Sequence, residues 1–139
     1  MLQDCSVTRR QFVGAGAAAL VVAAAPDTQS LFARLPTPYR AIYDVRFEPG
    51  RLFASDALSR GWVTRAIRGD VTQVWFHELS VRWKRGPAPI AGLTTPQSLF
   101  VLERLAWDVR MRVTARETIP ATFLVRWAID LPRVKGWAP

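Results

Sequence analysis

The stretch from residue 88 to 100, Ala88-Pro89-Ile90-Ala91-Gly92-Leu93-Thr94-Thr95-Pro96-Gln97-Ser98-Leu99-Phe100, limits the possible folds more than any other part of the chain. It reads as a short buried strand, a tight turn over residues 92–95, and a helix. Thr94 or Thr95 can accept a hydrogen bond from a first-turn N–H, and Pro96 fits a position where a missing N–H costs nothing. Two similar units lie upstream. Residues 39–47 carry the β-formers Ile42, Tyr43, Val45 and Phe47, and Pro49-Gly50 separates them from a short helix over 51–60. A strand over 62–67 then ends at Gly69-Asp70, and Asp70 can cap a helix that runs to Lys84.

A third helix over 96–109 and a fourth strand over 111–115 complete the order β-α-β-α-β-α-β. Connections this short predict an α/β fold, a small and mostly parallel sheet of about four strands with helices on its faces. Val71, Trp75, Leu79 and Trp83 form an i, i+4 row with Val74 beside it, which is the core-facing stripe of the second helix. Glu78 and Arg82 are spaced i, i+4 and are expected to pair. The α/β domain is bounded at 39–118. Residues 119–139 are read as a C-terminal extension interrupted by Ile119-Pro120, with Trp127 and Trp137 as candidate partner-binding residues.

Before the domain, residues 26–38 hold Pro26, Pro36 and Pro38 and read as a linker. Residues 1–25 carry a more specific pattern. Ser6-Val7-Thr8-Arg9-Arg10-Gln11-Phe12-Val13 precedes an uninterrupted Ala/Gly-rich apolar run that extends to Ala25. The run is too short and too rich in small residues for a comfortable membrane span. This segment resembles the twin-arginine (Tat) signal of bacterial exported proteins, with Arg9, Arg10 and Phe12 at the positions the translocase reads. The resemblance implies export to the periplasm as folded cargo, with cleavage after Ala24 or Ala25, or retention as a membrane tether if cleavage fails. It also implies that such cargo often holds a cofactor or travels with a partner.

The formal charge of +8 invites a nucleic-acid reading, but only Lys84 and Lys135 among the 19 basic residues are lysines, and the arginines are spread along the chain. That distribution argues against a nucleic-acid footprint. Cys5 is the single cysteine and falls in the segment expected to be removed, so disulfides, thiol catalysis and cysteine-ligated metal drop out together. With His77 the single histidine, no metal site and no cofactor is expected.

In a parallel sheet ligands gather at the carboxyl ends of the strands. Asp44, Arg46, Gly69, Asp70, Gly92, Thr94 and Thr95 would meet there, and backbone N–H groups, hydroxyls and a helix start suit a small anion. Capping alone also accounts for Asp70 and both threonines, and no GxGxxG or P-loop pattern is present. Glu103 falls inside the apolar arc of its helix between Leu99 and Trp107, so it needs an arginine partner or a proton. His77 shares the polar face of its helix with Gln73, Ser80 and Lys84, and no serine sits in a GxSxG elbow.

No pattern in the chain specifies a reaction. The reading is a periplasmic protein that acts by binding, as an accessory or partner subunit of a larger exported enzyme. The rivals are a binder of small anionic ligands at the 92–95 turn, and a small hydrolase or isomerase using Asp44, Asp70 or Glu103.

Overall fold

The computed structural model describes residues 35–133, which build a five-stranded mixed sheet. In chain order the elements are β1 (Arg40–Asp44), α1 (Glu48–Ser59), β2 (Thr64–Ile67), α2, β3 (Ile90–Thr94), α3 (Pro96–Trp107), β4 (Arg112–Thr118) and β5 (Val125–Asp130). α2 joins three contiguous segments, Thr72–Val74, Trp75–Leu79 and Ser80–Trp83, of which the middle one is π-helical. The strand order is β2-β1-β3-β5-β4. β1 runs parallel to β2 and β3, while β5 runs antiparallel to both β3 and β4.

The α/β class stands as expected, but the mostly parallel four-stranded sheet is corrected to three parallel strands and an antiparallel hairpin. β4 does not pair with β3. It lies one place further out, and a reversal over 119–124 returns β5 into the gap. Ile119 N–H donates to Leu124 O at 2.9 Å across that reversal, and Ala121 takes a left-handed φ of 63° within it. Hence residues 125–130 do not stand outside the domain: Val125, Trp127 and Ile129 are all buried.

Strand register divides the side chains between two faces. Ile42, Ile67, Ile90, Val125, Trp127 and Ile129 share one face and form a single core cluster with Val74, Leu79 and Trp83 of α2 and Leu99, Leu102 and Ala106 of α3. The stripe expected on α2 is therefore the one that packs. Ala41, Ala91, Leu93 and Ala128 lie on the opposite face, where α1 contributes the small residues Gly50, Ala54 and Ala57. A Cβ at Gly50 would run into the backbone oxygen of Asp44, so glycine is needed for α1 to start this close to β1.

Gly92 is also corrected. It is not a turn residue but the midpoint of β3, opposite Ile42 in β1 and Trp127 in β5. A Cβ there would collide with Ile42 O and the Trp127 ring, so the indole lies directly over the glycine backbone. Trp127 Nε1 donates to Thr94 Oγ1 at 3.0 Å, which satisfies a buried donor that would otherwise be costly.

The π-helical segment is closed by Ser80 N–H donating to Trp75 O. Within it Glu78 does not pair with Arg82. Its two carboxylate oxygens instead accept from Arg40 Nε of β1 and Arg65 Nε of β2, which bind α2 to the sheet. Arg82 N–H groups turn to Gly86 O, at 3.3 Å, and the guanidinium lies near the Tyr39 ring.

Candidate functional site at the strand ends

β1 leads through α1 to β2 on one side, while β2 leads through α2 to β3 on the other. The connections thus part between β1 and β3, the place where open α/β sheets hold their ligands. Asp44 closes β1 there and is fully buried. Its carboxylate grips Arg46 in a forked pair, Oδ1 accepting from Nε at 2.9 Å and Oδ2 from Nη2 at 2.8 Å, while Oδ1 also accepts from Arg46 N–H at 3.1 Å. The Arg46 side chain remains 41% exposed, so the buried acid holds a solvent-facing cation in one orientation.

Burial pushes the Asp44 carboxyl up, but the hydrogen bonds and charge of Arg46, with the nearby charge of Arg68, outweigh it and hold the group below its usual value. Arg46 is raised by the same bond to Asp44. The Phe47 ring centroid lies 5.0 Å from the guanidinium carbon. Gly69, at φ 82°, lies close by: a Cβ there would stand 2.6 Å from Nη2. Glycine at this position meets both a backbone conformation and a space requirement.

From Gly69 the contacts continue into α3. Ser98 Oγ donates to Gly69 O at 3.2 Å, and Thr95 Oγ1 accepts from Ser98 N–H at 3.3 Å as the N-cap of α3. Thr94 Oγ1 accepts from Trp127 and donates to Thr95 O. Of the residues expected at this site, Asp44, Arg46, Thr94 and Thr95 meet at the strand ends, but both threonine hydroxyls serve the fold. Asp70 is exposed beside them; the N-cap position of α2 falls one residue later, at Val71, and Asp70 Oδ1 accepts from Thr72 N–H at 2.9 Å and Thr72 Oγ1 at 2.6 Å, which lowers its pKa. Gly69, expected here with Asp70, does lie against Arg46, whereas Arg68 and Ser98 were not foreseen as site residues.

Glu103 is elsewhere. It lies on α3 beside β4, 3.7 Å from Arg116, in a shallow groove of about 460 Å³ lined by Pro96, Gln97, Phe100, Val101, Glu103 and Arg116. The arginine partner expected from a neighbouring element is thus present, but half of the Arg116 side chain is in solvent, so the pair is a loose one at the surface. Trp127 has no exposed surface and offers nothing to a partner. His77 is exposed and bonds Gln73 at 2.9 Å. Arg9, Arg10, Phe12 and Trp137 lie outside the described residues.

Among the described residues no cluster of three or more His, Cys, Asp or Glu could hold a metal ion, and no helix is long and apolar enough to cross a membrane. No protein-family model, curated protein or solved structure matches the chain.

Proposed function

We propose that this protein binds a small anionic ligand, such as phosphate or a short dicarboxylate, at the carboxyl ends of β1 and β3. The observation that supports it is the Asp44–Arg46 pair. A fully buried carboxylate takes up Nε and Nη2 of a guanidinium that stands partly in solvent where the sheet's connections diverge, and Nη1 is not used in that grip. Arg68 adds positive charge close enough to act on Asp44, and α3 begins beside the cluster. The residues present suit binding and orientation of an anion. Acid–base chemistry at Asp44 is disfavoured because its carboxyl is held ionised by its partner.

The twin-arginine resemblance of residues 6–13 adds a compartment to this reading, a binder working outside the cytoplasm. The accessory-subunit reading loses one of its supports, since residues 125–130 of the segment expected to dock on a partner supply an interior strand.

Calorimetric titration of the purified protein with inorganic phosphate and with succinate tests the reading. Saturable binding is expected, weakened about tenfold or more in Arg46→Lys because an ammonium cannot reproduce the planar fork. Arg82→Gln, on α2, should bind as the native chain does. Absence of binding to either anion, or binding indifferent to Arg46→Lys in a variant with a native circular dichroism spectrum, overturns the proposal.

A further inference from the structure

We infer that the protein associates as a two-fold dimer, in which β4 pairs antiparallel with β4 of a second copy and the groove between α3 and β4 closes against its counterpart. β4 is an edge strand: among the described residues it pairs with β5 alone. Ile119 N–H points to β5, where it meets Leu124 O, and backbone groups alternate along an antiparallel pair. Glu117 and Ala115 therefore also face β5, while the N–H and C=O groups of Arg116 and Thr118 point outward. The irregularity between Val113 and Ala115 confines the regular edge to the four residues 115–118. A four-residue edge is enough for a short symmetric pairing, in which Arg116 and Thr118 of each copy exchange backbone hydrogen bonds with their mates.

The surface beside that edge is its own complement. Phe100 and Val101 of α3 are 59% and 44% exposed and form its apolar wall. Large apolar groups gathered next to open backbone groups mark an association surface. The charge pattern selects the occupant. The groove carries one acid, Glu103, and one base, Arg116, held only loosely together at 3.7 Å. An isologous contact brings a patch onto itself, so Arg116 of the second copy meets Glu103 of the first, and the reverse. A strongly acidic or strongly basic partner would instead set one of the two against a like charge.

Sedimentation equilibrium of the full chain, from micromolar to several hundred micromolar, is expected to show a concentration-dependent doubling of mass. Thr118→Pro removes an N–H that β5 does not use, so the monomer should remain folded while association weakens about tenfold or more. Glu103→Arg and Arg116→Glu each place like charges across the axis and should be monomeric alone. Mixed in equal amounts, they should form a heterodimer, since each then meets its opposite; a merely structural role for either residue would not produce this rescue. A native chain that stays monomeric throughout overturns the inference and leaves the edge to a segment outside the described residues or to a foreign peptide. A native dimer unaffected by Thr118→Pro, or a mixture that remains monomeric, equally overturns it.

Discussion

Gly92 leaves no room for a methyl group, because one of the atoms a Cβ would meet is the backbone oxygen of Ile42, which cannot swing aside as a side chain can. Gly92→Ala is expected to cost about 1–3 kcal/mol, read as a lower midpoint of urea denaturation at unchanged slope. A second expectation concerns acid. Asp44 and Glu78 are both pushed up by burial, yet their arginine partners win and hold both below the ordinary carboxylate range. A group depressed in the folded state stabilises above its unfolded value and loses that contribution as pH falls through the folded one. Stability should therefore hold near neutrality and decline once pH drops below about 4. Glu78→Gln should flatten part of that decline in denaturation midpoints followed against pH. At this scale Asp44 and Arg46 were legible as strand-end residues, but their grip on each other was not. It depends on how the backbone turns after β1, which the residue types alone do not specify.

The elements built from local pattern were readable, and the one built from distant pairing was not. α1, α2 and α3 follow apolar spacing, a capping Thr95 and Pro96, all of which act within a few residues. β5 was ambiguous because Ile119-Pro120 looks like an ending, and nothing near it announces that its neighbour is β3, some thirty residues earlier in the chain. The glycine in Ala91-Gly92-Leu93 was the available clue. Inside a run of strand residues, glycine marks a close approach as readily as a turn, and the approaching group is Trp127. Truncation after Glu117 is accordingly expected to abolish the cooperative thermal transition, since it removes Val125, Trp127 and Ile129 from the main core cluster. A truncated chain that still melted sharply would show that β4 can close the sheet without β5.

At the scale of the whole molecule, a chain with formal charge +8 spends several arginines in fixed roles: Arg40 and Arg65 on Glu78, and Arg46 on Asp44. Those three arginines serve the fold, and the pairs they make leave the formal excess of positive charge almost untouched. If residues 6–13 direct export, Arg9→Lys with Arg10→Lys should retain the protein in the cytoplasm on cell fractionation; unchanged periplasmic levels would remove that assignment. The strand order has a further consequence, for the newborn chain on the ribosome. β5 is made after β4 but lies inside it, so β4 has nothing to pair with until residues 125–130 have emerged. Until then β3 presents a naked flank made of Ile90, Ala91, Gly92, Leu93 and Thr94, all of them buried in the finished protein. The nascent chain is most prone to stick to its neighbours during that interval, and a chaperone that shields this flank would raise yield by protecting a vacancy that only the later strand can fill.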